Sequence, residues 1–161
     1  MKRGARAAAR AAFFLALCLN IFWPSAGRAK TTTIDDSGTQ SLEPTVLMRW
    51  KSFAPARSGG DNLMTGTTTL RLRLNLMPWF RRVGRIYLVL PAQPPGPVRA
   101  QWTTQGRLLP GQVVSGNRTL VYAGPISARV LEDVLVLQFS VDARLLPRAV
   151  PVSFHFDMDE E

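Results

Sequence analysis

The one histidine of the chain lies in a short run in which polar and apolar residues alternate. His155 is followed by Asp157 and Asp159, and residues two apart on a strand share a face. These side chains could hold a metal ion together, but one strand supplies fewer ligands than a tetrahedral zinc site requires. A serine hydrolase would need the same histidine, and the sequence has no Gly-x-Ser-x-Gly motif. We therefore expect a solvated polar strand face here, without a bound metal.

Other residues that could carry catalysis are equally scarce. Glu132 and Asp133 are adjacent in the chain, and a strand would direct them to opposite faces, which does not suit the paired carboxylates of a glycosidase. The one cysteine, Cys18, lies in an apolar N-terminal segment and cannot by itself form a zinc ribbon or a disulfide framework. The sequence thus predicts a protein that is not an enzyme and that has no cofactor.

A cluster of aromatic and basic residues is the main candidate for a binding surface. In Pro78–Arg82, two aromatic residues directly precede two arginines, a combination that can contact an anionic glycan or lipid headgroups. Arginines nearby in the chain could extend the cluster into a basic stripe, and Trp102 could add another aromatic surface. The predicted surface consists of Trp79, Phe80, Arg81, Arg82, Arg85, Arg71 and Arg73. In the interpretation that we favour for Trp79 and Phe80, the two aromatic residues fold back to cap the open end of the sandwich, and the binding surface is the other possibility.

The first 29 residues have the composition of a secretory signal peptide. A basic segment, Met1–Arg10, precedes an apolar segment, Ala11–Trp23, and small residues at Gly27 and Ala29 suit cleavage. The apolar segment is shorter than the roughly 20 residues that a membrane-spanning helix needs. An uncleaved anchor, a mitochondrial presequence and a lipoprotein signal ending at Cys18 are the alternatives. We expect an exported protein of the bacterial periplasm or cell surface, with no transmembrane segment in the processed chain.

Removal of that segment would change the charge of the protein. Five of the 20 Lys and Arg residues, and none of the 11 acids, lie in residues 1–29, so cleavage would lower the formal net charge from +9 to +4. The high isoelectric point of the whole chain is therefore no argument for nucleic-acid binding. We expect no nucleic-acid partner.

Beyond residue 43, apolar residues recur with a period of two. Thr69–Leu76 places four leucines on one face and polar residues on the other, and Asp133–Asp142 alternates in the same way. The C-terminal strand has apolar residues at alternate positions, and Pro151 near its start is typical of an edge strand. Those apolar residues are Val150, Val152, Phe154, Phe156 and Met158. The remaining strand candidates, separated by turns rich in Gly and Pro, are Val46–Lys51, Arg85–Leu90, Arg99–Thr104 and Thr119–Ala123.

This pattern predicts an all-β domain. About seven or eight short strands joined by turns are typical of an antiparallel β-sandwich of immunoglobulin-like type, with a small β-barrel as the alternative. The signal peptide would occupy residues 1–29, a flexible polar leader residues 30–43, and a single sandwich domain residues 44–161. No amphipathic helix is expected after Trp23.

An exported β-sandwich without catalytic residues suits a role in binding or assembly. Sandwich domains can bind through exposed edge strands, which accept an additional strand from a partner. We therefore expect a structural or assembly module of a cell-surface or fimbrial-type apparatus, with a protein partner of the envelope. The candidate edges are Val150–Met158 and Pro44–Phe53. The alternative is a module that binds anionic polysaccharide or lipid headgroups through the arginine and aromatic cluster.

Overall fold

The computed structural model describes residues 30–43, 45–51, 62–92, 96–145 and 152–160. In these ranges the chain forms strands and two short 3-10 turns, Met77–Trp79 and Ala143–Leu145. The strands are β1 (Thr31–Thr33), β2 (Gln40–Ser41), β3 (Arg49–Trp50), β4 (Leu63–Asn75), β5 (Val83–Leu90), β6 (Arg99–Thr104), β7 (Gly111–Val114), β8 (Asn117–Pro125), β9 (Val130–Asp142) and β10 (His155–Glu160).

The two longest strands, β4 and β9, form the centre of one sheet. They pair antiparallel over 13 residues each, from Leu63 opposite Asp142 to Asn75 opposite Val130. The alternating leucines at the C-terminal end of β4 are at most 4% exposed, while the arginines between them face solvent. Burying one such leucine stabilises the fold by about 1.5–3 kcal/mol, so the alternation decides which face meets the other sheet.

Two antiparallel sheets pack against each other around one core. Sheet A has the strand order β1-β10-β5-β8, and sheet B has the order β2-β4-β9-β6-β7, with β3 also pairing with β4. Both sheets contribute to the core, whose largest fully buried side chains include Trp102, Phe156, Ile86, Leu88, Leu135 and Leu137. The predicted antiparallel β-sandwich is therefore confirmed, and the segment that is apolar on both faces, Arg85–Leu90, lies in the interior strand β5.

Residues 30–43, which we expected to form a flexible leader, belong to the sandwich instead. β1 pairs with β10 in sheet A and β2 pairs with β4 in sheet B, so this segment crosses from one sheet to the other. Ile34 is 2% exposed, and its backbone N–H donates to the carbonyl of Phe156 at 2.7 Å. The sequence signal is weak because Ile34 is the one large apolar residue that this segment buries, and its strands have only three and two residues.

The C-terminal strand is not an edge strand, and this prediction was wrong. β10 lies between β5 and β1 in sheet A and pairs with both. Its alternation is as expected, because Phe156 and Met158 are fully buried and Val152 and Phe154 pack against the core. Alternation indicates which face of a strand is buried. Whether the strand lies at the edge of its sheet depends instead on whether a second strand pairs with its backbone.

Some predictions fall on residues that the structure does not describe. The predicted signal peptide, residues 1–29, lies outside the described residues, and so do Val150, Pro44 and residues 52–61. Within the described ranges, no helix has the length and apolar character needed to cross a bilayer.

Candidate binding surfaces

The polar face around His155 is occupied by contacts within sheet A. Nε2 of His155 lies 3.7 Å from Oδ1 of Asp157, which also accepts a hydrogen bond from the Thr33 hydroxyl at 3.0 Å. Asp159 accepts a similar bond from the Thr31 hydroxyl at 2.6 Å. In the part of the chain that the structure describes, no group of three or more His, Cys, Asp or Glu side chains is placed to hold a metal ion. The two carboxylates fasten β1 to β10.

Arg118 extends this network across sheet A. Its guanidinium donates two hydrogen bonds to the carboxylate of Asp159, at 3.0 and 2.9 Å, and lies 4.2 Å from the centre of the Tyr87 ring. Burial disfavours the charged form of Asp159, but hydrogen bonds from Arg118 and Thr31 outweigh this effect, and the pKa of Asp159 lies below its ordinary value. The sequence holds no signal for this pair, because the residues are on strands that are not adjacent.

The indole of Trp79 closes one end of the sandwich. It is 5% exposed, and its Nε1–H donates to Oε1 of Glu160 at 2.9 Å, while Oε2 of the same carboxylate accepts a bond from Arg82 at 2.9 Å. Trp102 is also buried and donates to the carbonyl of Leu109 at 3.0 Å. Neither tryptophan can stack on a sugar, which corrects that part of the predicted surface. Trp79 caps the sandwich, as the favoured interpretation of this segment predicts.

Phe80 lies at the same end, next to two guanidinium groups. Cζ of Arg81 and Cζ of Arg129 each lie 5.4 Å from the centre of the half-buried Phe80 ring. The backbone of Arg81 is left-handed, with φ of 68°, and its N–H donates to the carbonyl of Ile126 at 2.9 Å. We call Phe80, Arg81, Arg82 and Arg129 the arginine end. Sequence reasoning missed Arg129 because it is distant in the chain and follows β8 in a separate loop.

The predicted basic stripe is divided between two faces of the molecule. Arg71 and Arg73 are exposed on β4 in sheet B, whereas Arg85 is exposed on β5 in sheet A. Because the outward faces of two packed sheets point in opposite directions, these arginines lie on opposite sides of the sandwich. Arg73 also lies 3.7 Å from Glu132. The prediction of one stripe of five arginines was wrong, and Phe80–Arg82 is the part that remains together.

A second exposed surface follows the β2–β3 edge of sheet B. Leu42, Leu47 and Trp50 are 50%, 74% and 48% exposed, and we refer to these three residues as the β2–β3 edge. Val46 and Met48 pack against the core, but Trp50, which alternation would place on the same face, is turned outward. β3 pairs with β4, and none of the described strands pairs with its other side. Leu47 and Trp50 lie within Pro44–Phe53, the second of the two predicted edges, whereas Leu42 precedes it.

A carboxylate bonds to β4 in the gap between the parts of β4 that pair with β2 and with β3. Oε2 of Glu43 accepts hydrogen bonds from the Thr69 N–H at 2.9 Å and from the Thr68 hydroxyl at 2.8 Å. These bonds, with that from the Thr69 N–H the largest cause, hold the pKa of Glu43 below its ordinary value. The segment containing β2 and β3 therefore covers β4, and its own outer side forms the edge of the sheet.

A groove of about 460 Å³ lies over the β4–β9 pair, lined by Arg71, Gln105 and Asp133 among others. Asp133 is 7% exposed; its Oδ2 accepts the Leu108 N–H at 2.9 Å and its Oδ1 accepts the Val134 N–H at 2.7 Å. Both oxygens are thus engaged in holding the backbone. Among the described residues, no buried side-chain nitrogen or oxygen is without a hydrogen-bond partner, so the groove presents no unsatisfied buried polar atom to a ligand.

Comparisons of the chain with protein-family models, with curated proteins and with solved structures find no match. Two surfaces therefore remain as the basis for a functional interpretation. The β2–β3 edge is apolar and lies beside a strand with one neighbour, and the arginine end is basic and lies where Trp79 caps the sandwich.

Proposed function

We propose that this protein is a non-enzymatic, exported protein of the cell envelope that binds another protein through the β2–β3 edge. The observation that carries the proposal is the exposure of Leu47 and Trp50, at 74% and 48%, beside a strand that pairs on one side within the described chain. Covering such side chains is favourable by about 25 cal/mol per Å² of apolar surface. An added partner strand would cover them and pair with the outer backbone groups of this segment.

Of the two edges of sheet A, β1 and β8, the β8 edge is less suited to accept a strand. The carbonyl of Val121 on β8 already accepts the Leu109 N–H at 2.7 Å. The strand ends in Gly124, which has φ of 137°, and Pro125, which has no N–H to donate. Prolines and irregular backbone are typical of edges that are protected from strand addition, which favours the β2–β3 edge.

The use of the carboxylates supports a binding role over a catalytic one. Asp133 holds the backbone of Leu108, and Asp157 and Asp159 hold β1 through the hydroxyls of threonines. Groups with these structural roles are not free to transfer protons to a substrate. Export and an envelope location rest on the predicted signal peptide, residues 1–29.

Site-specific photo-crosslinking tests the proposal. A photoreactive phenylalanine analogue replaces Leu47 or, as a matched control, Leu109, which is 47% exposed before β7 at the opposite edge of sheet B. In cells that naturally produce the protein, we expect a discrete protein adduct at Leu47 that is absent at Leu109. Adding Trp50→Asp should remove the adduct without lowering the thermal midpoint, because this side chain is half exposed. Equal adducts at both positions, or none at Leu47, would contradict the proposal.

A further inference from the structure

The arginine end carries a second inference, which goes beyond the proposed function and does not depend on it. We propose that this end of the sandwich docks onto an anionic membrane surface. Arg81 and Arg129 would contact the phosphate headgroups, and the exposed apolar side chains next to them would enter the interfacial region of the bilayer.

Excess positive charge is the first argument. Arg82 forms an ion pair with Glu160 at 2.9 Å, but neither Arg81 nor Arg129 forms one with any described carboxylate. Both guanidinium groups instead lie 5.4 Å from the centre of the Phe80 ring. An aromatic ring attracts these cations without neutralising them, and two like charges beside one ring repel each other. An anionic surface would complement both charges at once.

Exposed apolar side chains lie at the same end of the sandwich as these cations. Met77, Val83 and Val130 are 59%, 47% and 37% exposed. Met77 follows β4 and Val83 begins β5, at the end of the sandwich where the Leu76 N–H donates to the Arg129 carbonyl at 2.8 Å. Val130 begins β9 but faces outward from sheet B, in a groove with Asp35 and Arg73, and is not part of the proposed surface. Cations beside exposed apolar side chains are typical of surfaces that enter the headgroup region of a bilayer. A soluble anionic glycan would gain little from the apolar side chains, so the combination favours a lipid surface.

The backbone holds the arginine end in place before any ligand binds. The Arg81 N–H donates to the Ile126 carbonyl at 2.9 Å, and the Ile126 N–H donates to the Arg82 carbonyl at 2.8 Å. The left-handed backbone of Arg81 is uncommon for a residue with a side chain, and such conformations concentrate at binding sites. Because the turn is anchored by these bonds and by the buried Trp79, binding would order little additional backbone.

Vesicle binding measures the proposed interaction. Protein recovered from producing cells, with its N-terminus read by mass spectrometry, is titrated with phosphatidylcholine vesicles with and without phosphatidylglycerol. We expect binding only to the anionic vesicles, and weaker binding as the salt concentration rises. An arginine near an anionic surface contributes about fivefold in affinity, so Arg81→Ser with Arg129→Ser should weaken binding about 25-fold.

A matched variant controls for total charge. Arg71→Ser with Arg99→Ser removes the same charge from the outer face of sheet B, where both arginines are exposed, and should have little effect. Equal weakening by the two double variants would overturn the proposal, since net charge alone would then explain binding. Binding to uncharged vesicles that neither variant changes would overturn it as well.

Nuclear magnetic resonance locates the contact without any variant. Anionic bicelles that contain a nitroxide-labelled headgroup should broaden the methyl signal of Met77 and spare that of Met64, which is partly buried at the far end of β4.

Met77→Ser should also weaken vesicle binding. If Met77 is not broadened, the arginine end is not the docking surface. If dextran sulfate binds as tightly as the vesicles and Met77→Ser has no effect, the ligand is a free polyanion and the proposal is wrong.

Discussion

The side chains of Arg118 and Asp159 join β8 to β10 across the intervening strand β5, with two hydrogen bonds of 3.0 and 2.9 Å. The guanidinium lies 4.2 Å from the centre of the Tyr87 ring, which is on the strand between them. The hydroxyl of Thr31, on β1, donates a hydrogen bond to the same carboxylate at 2.6 Å. Side chains therefore connect all four strands of sheet A on its outer face, in addition to the backbone hydrogen bonds of the sheet.

Removal of Arg118 should destabilise the fold. Arg118→Met would leave the Asp159 carboxylate, whose side chain is 12% exposed, with Thr31 as its remaining side-chain donor. A buried acceptor that loses its partner costs about 1–3 kcal/mol in the free energy of unfolding, which urea unfolding at neutral pH would measure. An unchanged free energy of unfolding would show that the ion pair is energetically neutral.

The same ion pair should make stability depend on pH. The pKa of Asp159 is lowered in the folded state, so its ionised form stabilises the fold above the unfolded-state pKa of about 3.9, and this contribution is lost as pH falls below that value. Asp35, Glu43 and Asp142 also have lowered pKa values, that of Asp142 to about 2. The variant Asp159→Asn isolates the contribution of Asp159. The free energy of unfolding of this variant should decline less steeply between pH 5 and about pH 3 than that of the unmodified protein. Parallel profiles would contradict this assignment.

Ile34 should be part of the core despite its position near the start of the described chain. Ile34→Ala removes a side chain that is 2% exposed and should lower the free energy of unfolding by about 2–5 kcal/mol. Leu42→Ala, in the same segment but 50% exposed, should change it by less than about 0.5 kcal/mol. Chemical denaturation of both variants checks the contrast. If both variants change the free energy of unfolding by less than about 0.5 kcal/mol, residues 30–43 behave as a leader and not as part of the core.

Fluorescence quenching should distinguish the exposed tryptophan from the capping one. Trp23 lies outside the described residues and is replaced by Phe in the background protein. Trp50 is 48% exposed, whereas Trp79 and Trp102 are at most 5% exposed. Trp50→Phe should therefore remove most of the quenching by iodide, and Trp79→Phe should leave it unchanged. Strong residual quenching in Trp50→Phe would show that Trp79 or Trp102 is accessible to iodide, contrary to their burial.

Asp133 should act as a structural acceptor. Asp133→Ala would leave the buried Leu108 N–H without its partner and should cost about 1–3 kcal/mol, whereas Asp133→Asn keeps one acceptor oxygen and should cost less. Gly106→Ala should also destabilise, since its added Cβ would lie 2.7 Å from the Asp133 carboxyl carbon. The exposed neighbour Glu132→Ala is the control, with an expected change below about 0.5 kcal/mol. Thermal unfolding of all four variants would rank them, and a full loss of stability in Asp133→Asn would point to a role for the charge itself.

The alternation of apolar and polar residues was enough to predict the fold class and most buried faces. Arg99–Thr104 forms β6 with the predicted bounds, and the leucines of Thr69–Leu76 are buried. The predicted strand ends were less accurate, because pairing with a neighbouring strand extends a strand beyond the segment in which apolar and polar residues alternate. β9 begins at Val130, three residues before the predicted start, where it pairs with Asn75 of β4.

The sequence by itself determined that this chain forms strands with one buried face each, since the alternation of apolar and polar side chains fixes that face. The tertiary structure decided between a sandwich and a barrel. Only the tertiary structure decided which strands are neighbours. Thr31–Thr33 covers β10, so the C-terminal strand has no free edge, and Arg129 joins Phe80 through separate loops. Edge pairing uses backbone N–H and C=O groups that nearly every residue has, so local sequence carries little information about it. The surfaces available for binding therefore depend on long-range packing, whereas the strand character of the chain is evident from local sequence.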